Sequence, residues 1–543
     1  MKALLLYKDR EWENPEYYYD ERSIESDLGL QLLFTTASQT VNYECGDVKN
    51  LSDPDPFIKE TMRRVVLTPL HSAEEITYRQ KIVSDFLNNE KTVRKIYRTV
   101  EQMLKEWDGL GRLVNTRNHG RDNTSKLITR IHEFRLFMRS LNELSQLFED
   151  TKTQFKSEGM KNLFARFEEE FTPALRHELE KISNAISFYV SDQVEDARNQ
   201  TMNLPKIVLE CNIGVDGRYE NFKIKDMETE VKKYRDPKSA VAKVQGVLGT
   251  FAPDSVACDA SMASQKQAAM LEFATVRYVM SFVEPFMHNF EYFFDALHFQ
   301  MSFYIGTVNT IHHMGRFELD YCFPTVCAQN KLHFANLKEY MMCIGQRVKA
   351  VGNTCNIDPK MLIIVTGANQ GGKSTFLRSI GIAQVMMQCG MPVAATVFES
   401  GLFPSLFMHF TRREDSQMNS GRLDEELGRM DQIIRNLGPN SLILLNESFA
   451  TTTEKDGSVI CYDIIKALNE AGVKIITVTH LLSFAQKIHG ECKEKEDAGQ
   501  TTDVSFLCAE RMPDGSRTFR MIQSVPELTS FGLDLYDQII GRG

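Results

Sequence analysis

The chain has 543 residues, too many for one hydrophobic core, so its length predicts several domains. Its composition is ordinary for a globular protein, with 42% hydrophobic and 25% charged residues, and no apolar run reaches the roughly 18 residues of a membrane span. A formal net charge of −10 argues against a protein that coats nucleic acid over its whole surface.

The cysteines and the N-terminus indicate a compartment. None of the 11 cysteines belongs to a C-x-x-C pair, which argues against a zinc site or a disulfide framework and favours free thiols in a reducing environment. The apolar patch near the N-terminus, Ala3–Leu6, is too short for a signal peptide. The sequence therefore predicts a cytoplasmic protein, associated with the nucleoid if the cell is prokaryotic.

The N-terminal third begins without recognisable chemistry. Residues 1–55 carry an acidic excess and an aromatic cluster at Tyr17–Tyr19, and helical spacing then runs from Pro56 to Trp107. Residues 111–140 hold seven basic and two acidic residues on a helical pattern, a net charge of +5. Such a helix face either contacts phosphates or is a solvated face paired with the acidic N-terminus.

Residues from about 120 to 255 are predicted to form an arm. Charged helical patterns continue to about residue 200, and residues 205–226 indicate two strands joined by a turn at Val215–Gly217. Strong helical signal returns from Ser261 to His312. A helix that leads out, a small β tip and helices that lead back describe an arm attached to a body.

From about residue 318 the pattern changes to short apolar runs separated by turns and helices. Leu362–Val365 indicates a buried strand, and Leu442–Leu445 and Val473–Val478 indicate two more. The alternation of strands and helices predicts a mostly parallel sheet whose ligands lie at the carboxyl ends of the strands.

The pattern G-x-x-x-x-G-K-S follows the first of these strands. Its residues are Gly367, Ala368, Asn369, Gln370, Gly371, Gly372, Lys373, Ser374 and Thr375. Glycines let backbone N–H groups close around phosphate oxygens, and the next helix directs its positive end at them. Lys373 is placed to reach the β- and γ-phosphates and Ser374 to offer its hydroxyl to Mg²⁺. The pattern therefore predicts a site for a nucleoside triphosphate.

Two polar residues follow the other predicted strands. Glu447 is placed to orient or deprotonate an attacking water molecule. His480, at the end of a neighbouring strand, is placed to donate a hydrogen bond to the γ-phosphate. Either residue alone is common at a strand end for structural reasons. Their joint appearance, in this order after the glycine pattern, favours a single catalytic site.

Three stretches closely resemble the ATPase half of the MutS family: TGANQGGKSTFLRSIGIAQVMMQCGMPVAA, SLILLNESFATTTEKDG and ITVTH. The resemblance implies an α/β P-loop ATPase domain (residues 321–543) attached to an all-α core with a long lever and clamp arm (56–320), preceded by a segment of unknown role (1–55). It also implies ATP and Mg²⁺ as cofactors, a homodimer through the ATPase domains, and duplex or branched DNA as partner, with no membrane.

The same resemblance assigns roles within the site. It implies that Ser374 and Asn446 hold Mg²⁺, that Glu447 activates water and that His480 senses the γ-phosphate. Asn446, however, stands where the family has an aspartate. An amide accepts a hydrogen bond from metal-bound water but brings no negative charge, so we expect weaker Mg²⁺ retention or slower turnover, without loss of ATP binding.

Further contacts are implied between subunits and with DNA. Ser420, Thr452 and Asp456 correspond to the intersubunit contact, although the family's Ser-x-Phe signature is missing around Ser420. The basic residues expected at DNA are Arg117, Arg121, Lys206, Arg218, Lys223 and Lys225. Only about 55 residues precede the core, which is too few for the family's mismatch-reading and connector domains, and the chain stops before the family's C-terminal dimerisation extension.

Two functions from different classes follow. The first is a MutS-like DNA-binding ATPase, an ATP-dependent clamp in repair or recombination that acts on branched or junction DNA more than on mismatches. The alternative is an ATP-dependent conformational switch that binds a protein partner without DNA, with weak or no hydrolysis; the net charge of −10 and Asn446 support it. A transporter- or SMC-type ATPase is disfavoured because the sequence Leu-Ser-Gly-Gly is absent.

Overall fold

The structure, a computed structural model, describes residues 2–13, 15–44, 47–116, 123–186, 202–213, 219–234, 262–411, 421–512 and 516–526. Contacts divide the chain into two compact units. Unit 1 consists of Met1–Ala3, Asn89–Lys156 and Met160–His298, and unit 2 of Leu4–Asn88, Ser157–Gly159 and Phe299–Gly543. The predicted mixed α/β class is confirmed. The domain boundaries at residues 55 and 320 stay predictions.

Helices and strands are numbered in chain order. The helices are α1 (Glu21–Leu28), α2 (Leu30–Ala37), α3 (Pro56–Val66), α4 (Ala73–Asn88), α5 (Glu90–Thr116), α6 (Asn123–Thr151), α7 (Glu158–Glu170), α8 (Pro173–Ile186), α9 (Met262–Arg316), α10 (Tyr340–Gln346), α11 (Lys373–Gln388), α12 (Arg422–Asn436), α13 (Glu454–Glu470) and α14 (Leu482–Asp497). No helix in these ranges is both long and apolar enough to span a membrane.

Ten of the fourteen strands in the described ranges begin at Thr325 or later. They are β1 (Val41–Glu44), β2 (Asp47–Leu51), β3 (Met202–Ile213), β4 (Tyr219–Tyr234), β5 (Thr325–Val326), β6 (Leu332–Leu337), β7 (Asn353–Asn356), β8 (Leu362–Thr366), β9 (Val397–Ser400), β10 (Leu406–Phe410), β11 (Leu442–Asn446), β12 (Lys474–Val478), β13 (Val504–Arg511) and β14 (Arg517–Gln523). β5, β9, β6 and β7 form a separate four-stranded sheet.

Phenylalanine dominates the interior of unit 1. Phe137 of α6 meets Phe290 of α9 edge to face, with ring centroids 5.0 Å apart. Phe148 of α6 and Phe167 of α7 are also edge to face, at 4.9 Å. All four rings are buried. Each buried aromatic side chain stabilises the fold by roughly 1.5–3 kcal/mol, so this cluster fixes the three helices together.

Unit 1 also contains an antiparallel ribbon of β3 and β4. Its pairs run from Met202 opposite Tyr234 to Ile213 opposite Tyr219. The ribbon is longer than the β tip predicted at residues 205–226, because main-chain pairing with β3 continues β4 to Tyr234. The predicted turn at Val215–Gly217 lies outside the described residues.

Unit 2 is built on a six-stranded sheet with strand order β10-β11-β12-β8-β13-β14. The first five strands are parallel, and β14 pairs antiparallel with β13. All residues of β8 and β12 are buried, as expected for parallel strands covered on both faces. The mostly parallel sheet predicted from the alternating pattern is therefore found.

Helices cover both faces of this sheet. Ile443 and Leu445 of β11 join a buried cluster with apolar residues of α12, α13 and α14. Leu444 lies on the opposite face, where α11 approaches so closely that a Cβ on Gly381 would lie 3.0 Å from the Leu444 side chain. The side chain of Leu28, in α1, would lie 2.7 Å from the same Cβ. A side chain at residue 381 would therefore require the ends of these leucine side chains to move.

The N-terminal segment, which suggested no chemistry, is part of the core of unit 2. The N–H groups of Leu5 and Leu6 donate to Gln300 Oε1 at 2.6 and 3.0 Å. The Tyr304 hydroxyl donates to Leu5 O at 2.5 Å. Arg79, fully buried, donates from Nε to Leu6 O at 2.8 Å and from Nη1 to the carbonyl of Cys389, directly after α11, at 3.0 Å. Side chains of α4 and α9 thus satisfy the backbone of an extended, buried segment.

Candidate active site

The ends of three adjacent parallel strands bring the predicted site residues together. β11 pairs with β12, and β12 pairs with β8, so their carboxyl ends lie at one edge of the sheet. The N–H of Glu447 donates to Val478 O at 2.8 Å, and the N–H of Thr479 donates to Val365 O at 3.1 Å. The segments that leave the three strands therefore start side by side.

The glycine loop, Gly367–Thr375, connects β8 to α11 through left-handed backbone. Its φ angles are 111° at Gly367, 60° at Gln370 and 90° at Gly372. A Cβ on Gly367 would lie 2.9 Å from the backbone nitrogen of Ala509 in β13, so close approach also requires glycine there. The positive end of α11 begins at the loop, which suits it to bind an anion.

Lys373 is buried inside the loop, with 5% of its surface exposed. Its Nζ donates to the carbonyl oxygens of Gly367 at 2.8 Å and Ala368 at 3.0 Å. Burial lowers the pKa of Lys373, and the nearby Glu447 carboxylate acts in the opposite direction. The ammonium group is thus held over the loop, where a phosphate oxygen can replace the carbonyls as its partner.

Ser374 and Asn446 meet across the site. The Ser374 hydroxyl donates to Asn446 Oδ1 at 2.8 Å. A hydroxyl and an amide oxygen are both hard oxygen ligands, which suit Mg²⁺. Within the described ranges, no group of three or more His, Cys, Asp or Glu side chains is arranged to hold a metal. Mg²⁺ held at this pair would therefore take most of its ligands from phosphate and water.

Glu447 and His480 form a half-buried pair, with His480 Nδ1 3.9 Å from Glu447 Oε1. The interaction with His480 lowers the pKa of Glu447 below its usual range. The same interaction raises the pKa of His480, although burial opposes the shift. Each group stabilises the charged form of the other, so the carboxylate is ionised at neutral pH.

A cavity of about 440 Å³ lies over the glycine loop. Its lining includes the polar residues Asn369, Lys373, Ser374 and Glu447. It also includes the apolar residues Leu337, Met342, Val348, Val351 and Phe519. The cavity thus combines polar groups suited to phosphates with apolar surface.

Among the predicted residues of unit 2 that the structure describes, Asn446, His480, Thr452 and Asp456 are not part of the cavity lining. The Thr453 hydroxyl caps the N-terminus of α13 and donates to Asp456, while Thr452 lies just before the helix. Lys206 lies on β3, and Lys223 and Lys225 lie on β4, all in unit 1. Ser420, Arg117, Arg121 and Arg218 are outside the described residues.

Four residues near the site were not predicted. Arg517 donates from Nη1 to Gln370 Oε1 at 2.9 Å, and Phe519 lies next to Gly372. The Thr411 hydroxyl donates to the Glu447 carbonyl at 2.8 Å. The carboxylate of Glu426 accepts from the N–H of Phe449 at 3.0 Å. None of the four belongs to a local motif. The only signal in the sequence was that Glu426, an acidic residue, lies on the apolar side of the helical pattern of α12.

Two regions of the chain, one of which contains the site, are similar to known protein families. A family model for MutS domain V matches residues 363–535, and one for the MutS2 N-terminal domain matches residues 71–202; together the two ranges span more than half of the chain. The first contains the glycine loop and the ends of β11 and β12. The second contains all of α4–α8.

Curated relatives agree with these matches. DNA mismatch repair protein MSH3 of Debaryomyces hansenii is 32% identical over 138 residues, which is 25% of this chain and 13% of the relative. Endonuclease MutS2 of Streptococcus thermophilus is 24% identical over 206 residues, which is 37% of this chain and 24% of the relative. DNA mismatch repair protein Msh3 of Mus musculus is 21% identical over 435 residues, which is 75% of this chain and 38% of the relative. The chain thus spans less than half of the length of each of these relatives, and it belongs to the MutS family.

Proposed function

We propose that this chain binds and hydrolyses ATP and acts as an ATP-dependent clamp on DNA, with branched or junction DNA preferred to mismatches. One observation carries the proposal. The glycine loop, the Ser374–Asn446 pair and the Glu447–His480 pair converge at one edge of a parallel sheet, beside a cavity lined by both polar and apolar residues. The relatives are DNA mismatch repair proteins and an endonuclease by name, which supports action on DNA.

The residues have distinct tasks in this proposal. Loop N–H groups and the positive end of α11 bind phosphate oxygens, and Lys373 turns from the carbonyls of Gly367 and Ala368 to the β- and γ-phosphates. Ser374 and Asn446 would hold Mg²⁺, which neutralises phosphate charge when bound. The ionised Glu447 orients the attacking water and accepts its proton, a role worth roughly 10²–10⁴ in rate. His480 donates a hydrogen bond to the γ-phosphate.

The proposed clamp couples this site to the arm. Residues 321–543 would form the ATPase domain, and residues 56–320 the core with lever and clamp, whose basic residues (Arg117, Arg121, Lys206, Arg218, Lys223 and Lys225) contact the DNA backbone. Two chains would meet through their ATPase faces, with Ser420, Thr452 and Asp456 at the contact. ATP binding or turnover would then move the arms.

Replacement of Lys373 by alanine tests the nucleotide site. Because hydrogen bonds to charged groups contribute roughly 1.5–3 kcal/mol, ATP affinity should fall on the order of 10–100-fold, as measured by titration with a fluorescent ATP analogue. Lys493→Ala removes an exposed lysine of α14 and serves as the control. ATP affinity of Lys373→Ala close to that of the unmodified protein would refute the assignment.

A second function is favoured by one specific observation. Asn446, which lacks the charge of an aspartate, accepts the Ser374 hydrogen bond. A site that binds ATP and hydrolyses it weakly would serve an ATP-dependent switch that binds a protein partner without DNA. Absence of binding to branched and linear duplexes near physiological salt would favour this second function.

A further inference from the structure

A buried carboxylate outside the cavity holds the segment that carries Glu447. Glu426, on α12, has 3% of its surface exposed. Its Oε2 accepts two hydrogen bonds, from the N–H of Phe449 at 3.0 Å and from the hydroxyl of Thr451 at 3.1 Å. Burial raises the pKa of Glu426, while these hydrogen bonds favour the ionised form. A group this costly to bury indicates a specific task.

The segment that Glu426 holds has an unusual backbone. Glu447 and Phe449 both adopt left-handed conformations, with φ of 54° and 62°, although neither is glycine. Each such residue costs on the order of 1 kcal/mol or more and persists only when its surroundings hold it. The N–H of Glu447 is held by Val478 O, and its carbonyl by the Thr411 hydroxyl. Glu426 holds the other left-handed residue of the turn, because its carboxylate accepts a hydrogen bond from the N–H of Phe449.

Glu426 is itself fixed in position. His409 of β10 has Nε2 3.1 Å from the Glu426 carbonyl and Nδ1 2.6 Å from the Ser448 hydroxyl. Arg429, one turn later on α12, donates from Nη2 to the carbonyl of Phe410 at 3.0 Å. α12 is therefore tied to the end of β10, so the position of the Glu426 carboxylate is set by the sheet and not by a flexible loop.

We propose that Glu426 is a positioning residue for Glu447: by binding Phe449 N–H and the Thr451 hydroxyl, it holds the left-handed turn that directs the Glu447 carboxylate toward His480 and the cavity. This inference rests on the proposed function, because hydrolysis is what gives Glu447 a reacting partner. Since a single oxygen accepts both hydrogen bonds, the amide oxygen of a glutamine can replace it, whereas an alanine cannot.

Two variants and one control test this role in the full chain. In Glu426→Ala, kcat for ATP hydrolysis should fall by about 100-fold, the effect of misplacing a catalytic group by about 1 Å, while KM and ATP affinity stay within about threefold of the unmodified values. Glu426→Gln should keep kcat within about tenfold. Asp431→Ala removes an exposed carboxylate on the same helix that is paired with Arg435 and should leave kcat unchanged.

Amide hydrogen exchange gives a readout that does not depend on activity. Peptides that cover residues 447–451 should exchange faster in Glu426→Ala and not in Glu426→Gln, because the N–H of Phe449 loses its acceptor only in alanine. Unchanged kcat and unchanged exchange in Glu426→Ala would overturn the proposal, as would an equal loss in both variants, which would show that charge and not hydrogen bonding matters. If the unmodified protein binds ATP without hydrolysing it, the proposed hydrolysis fails, while the exchange measurement still decides the role of Glu426.

Discussion

At the scale of single residues, Asn446 decides how the proposed site handles its metal. Its Oδ1 accepts the Ser374 hydroxyl, so the geometry expected of a metal-holding pair is present. What differs from a carboxylate is the charge. Oxygen sites for divalent cations are tuned by the number of charged ligands, and this pair has none. Binding geometry and metal affinity are therefore separable at this position.

Asn446→Asp should raise the rate of ATP hydrolysis and lower the Mg²⁺ concentration needed for half-maximal rate. A gain of about tenfold, equivalent to roughly 1.4 kcal/mol, is the expected scale of one added charge. Mg²⁺ titration of steady-state hydrolysis measures both quantities. Asn436→Asp, an exposed change at the end of α12, adds the same charge away from the site and is the control. An unchanged or lower rate in Asn446→Asp would show that Asn446 serves a purpose other than weak metal binding.

At the scale of elements, buried polar side chains of α9 fasten α2 to the rest of unit 2. Asn309 donates to the carbonyl of Ala37 at 2.8 Å, and His313 Nε2 lies 3.3 Å from the carbonyl of Gln39. His313 has 1% of its surface exposed, and burial lowers its pKa. α9 thus carries a titratable side chain that is buried in the core of unit 2.

This histidine predicts acid sensitivity of the fold. Because the folded pKa of His313 lies below its unfolded value near 6.5, the unfolded chain binds more protons as the pH falls below that value. The free energy of unfolding should therefore fall with decreasing pH below about 6.5, by at most about 1.4 kcal/mol per pH unit from this group. His313→Gln should flatten the dependence between pH 7.5 and 5, measured by urea unfolding. The control is His312→Gln. If the free energy of unfolding depends on pH in the same way in His313→Gln, in the control and in the unmodified protein, His313 is excluded as the cause.

Sequence patterns correctly predicted those helices and strands whose signal lies within a short stretch of the chain. The strand before Gly367, the helix after Lys373 and the ends of β11 and β12 all depend on periodicity or turn residues within about ten positions. The contacts of Glu426 and Arg79 were not predictable in this way. Glu426 reaches Phe449, 23 residues away, and Arg79 reaches Cys389, 310 residues away. The N–H of Phe449 and the carbonyl of Cys389 are backbone groups, which leave no complementary signal in the sequence.

At the scale of the whole molecule, the formal net charge of −10 opposes binding to DNA, which is itself negatively charged. DNA contact by the proposed clamp must then be local. Lys223→Glu combined with Lys225→Glu, on β4, should weaken binding to a branched duplex and reduce the slope of log affinity against log salt by about 2. Fluorescence anisotropy between roughly 50 and 200 mM salt measures this slope. The control Lys493→Glu with Lys495→Glu changes the net charge equally on α14, and an equal loss of affinity there would contradict contact through the ribbon.

The attachment of residues 4–7 to α9 has a consequence for how the chain is made. Leu5 and Leu6 are synthesised early, but Gln300 and Tyr304, which satisfy their backbone, emerge from the ribosome only after residues 89–298 of unit 1. At about 5–20 residues per second, the 294 residues from Leu6 to Gln300 take roughly 15–60 seconds. Phe290 of unit 1 precedes Gln300 closely in the chain, so the aromatic interior of unit 1 and the partners of Leu5 and Leu6 become available at nearly the same time. Leu5 and Leu6 therefore lack their buried hydrogen-bond partners until translation has reached Tyr304.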